Sequence, residues 1–133
     1  MFLHVIPNEL INTFLDMAYT LIASDGVATE DEERVFGLYA TEMNVEKIPK
    51  CNVVDYDEVL PKFELLENVK KKEIYFELLS LAYADSKFAE EEHKLLNKVA
   101  VAFNIADKEQ KQMGEVAYNL LKEYEKLGEI LRG

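Results

Sequence analysis

The sequence predicts an all-α protein: a helical bundle built from two pseudo-twofold-related helix–turn–helix repeats plus a long C-terminal helix. Three observations carry this reading. Apolar residues recur at helical spacing along most of the chain, and no stretch reads convincingly as a strand. The turns within each repeat are short. Above all, the chain repeats its own pattern. Residues 21–33 read LIASDGVATEDEE, and sixty positions on, residues 81–93 read LAYADSKFAEEEH. Both copies run from an apolar helix through a small residue and an Asp into a short turn, then a Glu cluster that opens a second apolar helix. A hairpin of this kind cannot cover its apolar face alone, so two copies pack together to make a core. Aligned at this offset, the copies share Leu21/Leu81, Asp25/Asp85, Glu30/Glu90, Glu32/Glu92, Ala40/Ala100 and Asn44/Asn104.

Each element follows from local signals. Pro7-Asn8 opens the first helix with Asn8 as its cap, and Leu10, Ile11, Phe14, Leu15, Ala18, Leu21 and Ile22 form its apolar stripe. It ends near Ser24-Asp25-Gly26, where Gly26 supplies a left-handed turn at little cost. Thr29 and Glu32 form a capping box for the second helix, whose buried face is Val35, Phe36, Leu38, Tyr39 and Met43. Residues 44–56 are irregular. A short third helix covers roughly 57–67, with Pro61 in its first turn, where a missing N–H costs nothing. The fourth helix begins near Val69 and buries Ile74, Tyr75, Leu78, Leu79, Leu81 and Ala82. The fifth carries Leu95, Leu96, Val99, Ala100 and Phe103, and Asn104 closes it. Asp107 with Gln110 caps the last helix, in which Met113, Val116, Ala117, Leu120, Leu121, Tyr124 and Leu127 keep the period. Gly114 weakens that helix slightly, and Gly128 marks its end or a frayed turn. Tyr and Met residues at helical spacing read as core. The whole chain, 1–133, reads as one domain, with repeat units over about 8–45 and 69–105 and the C-terminal helix over about 107–130.

Composition narrows the functional classes. Hydrophobic residues make up 49% and include seven Phe and seven Tyr, which is enough for a real core and too apolar for a disordered acidic tail. The net charge of −11 argues against nucleic acid and against an anionic membrane surface. The charge is uneven: residues 1–67 hold 14 acidic and 4 basic side chains, whereas residues 68–133 hold 12 and 11. Such polarity suits a basic protein partner or a cation, and it also serves solubility. No segment is long and apolar enough for direct membrane insertion, and the N-terminus lacks the basic and cleavage features of a signal peptide. The single cysteine, Cys51, excludes an intrachain disulfide, and a cytoplasmic location is expected.

The acidic turns are the candidate site. Asp25 and Asp85 each fall where a helix ends and its dipole is negative, so each carboxylate needs compensation. An Asx-type turn, with backbone amides donating to the carboxylate, is one source. A divalent cation held by Asp25, Glu32, Asp85 and Glu92 is the other. A donor set made only of oxygen suits Ca²⁺, Mg²⁺ or Mn²⁺. Glu32 has a capping role with Thr29, but the same box cannot form at Glu92, because Ala89 stands at the equivalent cap position and has no hydroxyl. His93 is either solvated or an additional ligand. An EF-hand is excluded: Asp25 is followed at once by Gly26, and Phe36 and Leu96 stand where the closing glutamates belong. Lys70-Lys71-Lys72 reads as a solvated helix start, or else as a docking patch. No phosphate-binding Gly-rich loop, nucleophile–histidine motif or zinc spacing occurs, so an enzyme is not expected.

These residues resemble a known family. The run Ala23-Ser24-Asp25-Gly26-Val27-Ala28-Thr29-Glu30-Asp31-Glu32 is similar to the small-x-Asp-Gly…Ser/Thr-x-x-Glu signature of TerB-like domains. These comprise the tellurite-resistance TerB family and the related N-terminal domain of a membrane-tethered DnaJ-like co-chaperone. The second copy, from Ala84 to Glu92, departs from the signature at Ser86 and Ala89. The resemblance spans roughly residues 8–105. It implies an all-α fold, a bacterial cytoplasmic setting, and a non-enzymatic adaptor or sensor role in tellurite resistance or stress response. It also implies a metal site at Asp25 and Glu32, extended to Asp85 and Glu92. The alternative is a metal-free protein-interaction module, a co-chaperone accessory or immunity-type protein, with an acidic docking face.

Overall fold

The computed structural model describes residues 6–23, 52–83 and 90–133. These residues form helices and no strand, so the all-α class holds for them. In chain order they are α1 (Asn8–Ile22), α2 (Tyr56–Val59) continued by a 3₁₀ turn (Leu60–Phe63), α3 (Asn68–Tyr83), α4 (Glu90–Ala102) and α5 (Asp107–Arg132). The Asp25 and Asp85 turns, the Thr29–Glu32 capping box with the second predicted helix, and Cys51 lie outside the described residues.

Helix α3 is the hub. Residues 74–79 are buried without interruption, which a helix with one solvent face does not permit. It packs against α1, α4 and α5, and α1 also touches α4. The core follows from the predicted stripes: Phe14, Leu15 and Leu21 of α1, Ile74, Leu78 and Leu81 of α3, and Leu96 and Val99 of α4 are fully or almost fully buried, and Met17 of α1 joins them from outside its predicted stripe. Each large side chain removed from water in this way contributes roughly 1.5–3 kcal/mol.

The irregular stretch of the sequence resolves, over its described part, into a strap along α1. Asn52 N–H donates to Asp16 Oδ1 at 3.0 Å, and Val54 N–H donates to Thr20 Oγ1 at 2.9 Å. Thr20 in turn donates to the Asp16 carbonyl at 2.7 Å. Tyr56 then drops into the core, where its hydroxyl donates to the Met17 carbonyl at 2.6 Å. Asp55 caps α2, accepting from Asp57 N–H at 2.9 Å. The third helix is thus shorter than expected: it spans Tyr56–Val59, a 3₁₀ turn carries the chain to Phe63, and Pro61 lies in the first turn of that 3₁₀ segment and not of the helix. Phe63, also fully buried, meets Phe103 with ring centroids 6.0 Å apart.

Three caps differ from expectation. Asn8 is the first helical residue of α1, and Pro7 occupies the cap position with extended backbone angles. Asp107 is likewise inside α5, after Ala106. The Gln110 side chain folds back to donate to the Ile105 carbonyl at 2.8 Å. Gly128 ends nothing, since α5 runs on to Arg132. Asn104 does close α4. It adopts a φ of 55°, Ile105 N–H donates to the Ala100 carbonyl, and Asn104 N–H donates to the Val101 carbonyl. This pair of bonds is the Schellman arrangement, in which asparagine tolerates the left-handed position better than most residues.

Candidate functional site

Of the four carboxylates expected to form the site, Glu92 alone falls within the described residues. Glu90, Glu91 and Glu92 occupy the first turn of α4, where the helix dipole favours negative charge. Glu90 and Glu91 are exposed, whereas Glu92 points inward and is only 2% exposed. It lies close enough to Tyr56 for its charge to act on the phenol. Burial first, and Glu92 second, push the Tyr56 hydroxyl well above its usual range. Because that hydroxyl bonds to Met17 of α1, the first turn of α4 sits beside the C-terminal half of α1. The two helix ends that flank the predicted acidic turns are therefore linked through one side chain.

A buried carboxylate is expensive. Withdrawing an ionised group from water costs several kcal/mol unless charges or hydrogen bonds compensate. Glu92, Glu77 of α3 and Thr20 are the buried polar side chains among the described residues. Thr20 is explained by the strap. Glu92 marks the one point where a residue singled out from sequence coincides with unusual placement. Among the described residues, no three His, Cys, Asp or Glu side chains are grouped to hold a metal ion.

His93, next along the helix, lines a cleft of about 570 Å³ between α3, α4 and α5. Partial desolvation lowers its pKa from the ordinary 6.5, and the nearby Glu90 opposes that shift. Tyr75, Tyr83 and Tyr118 also line the cleft. Tyr83 and Tyr118 meet edge to face at 6.5 Å, and the Lys122 ammonium sits 5.4 Å from the Tyr118 ring centre. Burial, with a smaller effect from Tyr83, raises the pKa of Tyr75. Gly114 opens the wall of α5 opposite Tyr83; a Cβ there would lie 3.5 Å from the Tyr83 hydroxyl, an ordinary contact. Helical spacing alone assigns these tyrosines to the core and misses the cleft. The signal is present as Tyr75, Tyr83 and Tyr118 on two helices, but only the packing of α5 on α3 brings them together.

No described helix is long and apolar enough to cross a membrane. Compared with family models, curated proteins and solved structures, the chain matches none.

Proposed function

We propose that the chain is a non-enzymatic, TerB-like helical binding domain, acting as an adaptor or sensor in tellurite resistance or a related stress response in the cytoplasm. In this reading its two helix–turn–helix units are related by a pseudo-twofold axis. Asp25, Glu32, Asp85 and Glu92 bind one divalent cation, Ca²⁺, Mg²⁺ or Mn²⁺, through oxygen donors. The observation that supports it is the buried Glu92 at the start of α4, held against Tyr56 and hence beside the end of α1 that leads into the Asp25 turn. A cation at this place would add to the contacts the Glu92 carboxylate already makes within the protein, whereas an Asx turn at Asp85 acts on a different carboxylate.

Thermal unfolding in EDTA and then in each cation tests this. A cation present at about a hundred times its dissociation constant stabilises by roughly 2.7 kcal/mol, which moves the midpoint by several degrees. Glu92→Gln keeps the shape, removes the charge, and is expected to abolish the shift. A wild-type midpoint that no cation moves sinks the metal reading.

A second reading is favoured by a separate observation. The chain acts as a metal-free interaction module for a basic protein, because an acidic-rimmed apolar groove lies beside α2.

A further inference from the structure

The turn that follows α2 and the outer side of α4 enclose an open groove of about 570 Å³. Its walls are Leu60, Pro61, Val101, Ala102 and Phe103. Val101 is 80% exposed there, and Pro61 and Ala102 of the same lining are exposed as well. Single exposed apolar residues are common on protein surfaces, but here they border a concavity rather than a flat face. The rim is negative. Asp57 and Glu64 line it, and residues 52–67 carry five carboxylates (Asp55, Asp57, Glu58, Glu64 and Glu67) against the single Lys62. Lys98, which also lines the groove, is bound to Asp57 at 2.9 Å, so it cancels that rim charge and leaves the charge of Glu64.

From this geometry we infer that the groove docks a basic amphipathic helix of a partner protein, with leucine-like side chains against the exposed Val101, Ala102 and Pro61 and lysine or arginine over Glu64. The inference rests on the interaction-module reading and names its surface. Charge selects the occupant. A second copy of a chain with net charge −11 would bring like charges together, and nucleic acid or an anionic membrane would be repelled in the same way. The described residues provide no sheet edge to which a peptide could add as a strand, whereas a helix docks through apolar side chains three and four apart.

The test uses the full chain and a fluorescein-labelled synthetic helix of leucine and lysine, with leucines at helical spacing. Anisotropy is read at low ionic strength in EDTA, so that the outcome is independent of any cation site. Val101→Asp is the decisive variant. It adds negative charge yet fills the apolar groove with a carboxylate; because Val101 lies in the last turn of α4, where a carboxylate opposes the helix dipole, binding is measured under conditions where thermal unfolding shows the variant folded. The expected result is binding by wild type, about tenfold weaker binding by Val101→Asp, weaker binding by Glu64→Gln, and no change for the distant Glu129→Gln. If Val101→Asp binds the peptide as tightly as wild type or more so, attraction is merely electrostatic and the groove is not the site. Absence of binding by wild type, or a wild-type dimer that Val101→Asp converts to monomer, overturns the proposal equally.

Discussion

Tyr56 joins parts of the chain that are distant in sequence. Its ring fills the core beneath the strap, its hydroxyl bonds to α1 at Met17, and its surroundings include the charge of Glu92 on α4. The hydroxyl has nowhere else to go, since burial excludes water and Glu92 opposes ionisation. Tyr56→Phe keeps the packing and removes only this bond. It is expected to lower stability by about 1–2 kcal/mol, the range for a buried hydrogen bond lost to an apolar replacement. A urea titration with unchanged slope and a lower midpoint would show it, whereas a midpoint equal to wild type would mean that the Met17 bond contributes nothing. The spacing of Tyr56, Val59, Leu60 and Phe63 is helical and marks a buried face, but the irregular run just before it hides where the helix starts, and nothing local points to the bond with Met17. Glu92 is legible for the opposite reason. Its repeat position matches Glu32, while Ala89 replaces the hydroxyl of Thr29, so the capping box that accounts for Glu32 does not account for Glu92.

Helices with one face against the core are legible from periodicity, because burial on one side imposes it. Most of the predicted stripes of α1, α3 and α4 lie in the observed core, although Ile11 and Leu95 are only partly buried and Met17 and Phe76 join the core from outside the stripes. The last helix is harder. Its period is as regular as the others, yet Ala117 alone is buried, Met113 and Leu120 are half-covered, and Tyr124, Leu127, Ile130 and Leu131 are exposed. The cause is length. At about 1.5 Å per residue, the 26 residues of α5 span about 39 Å and the 16 of α3 about 24 Å, so α5 extends beyond the helix it packs on. Periodicity reports an apolar face but not whether another element reaches it. The cap assignments at Asn8 and Asp107 fail on a smaller scale, by one residue each, since proline and alanine can hold the cap position when the side-chain bond is absent. Deleting residues 123–133 is therefore expected to cost less than about 1 kcal/mol, because little apolar area is withdrawn from water there. Ala117→Asp, by contrast, places a charge against α3 and is expected to cost at least about 3 kcal/mol. Chemical denaturation of both variants separates the docked half of α5 from its extension, and a truncation that unfolds the protein would show that the extension is covered.

Across the whole molecule the dominant feature is unbalanced charge, concentrated in residues 1–67. Self-repulsion of this kind destabilises the folded state and weakens as salt screens it. The described ion pairs, Lys72 with Glu109, Lys98 with Asp57 and Lys122 with Glu125, are all substantially exposed, so screening them removes little. Sodium chloride should therefore raise the midpoint of urea unfolding on balance. Raising ionic strength from about 0.01 M to about 1 M shortens the screening length from roughly 30 Å to roughly 3 Å. The same field makes every cation mildly stabilising, so a shift with calcium alone is weak support for a carboxylate site. The comparison that decides is calcium, magnesium or manganese against sodium at equal ionic strength, in wild type and in Glu92→Gln. A site at the acidic turns requires stabilisation beyond that of sodium, saturating with concentration and lost in the variant. Equal effects of all the cations, or an excess that survives Glu92→Gln, would assign the response to general screening and leave the buried carboxylate a structural role.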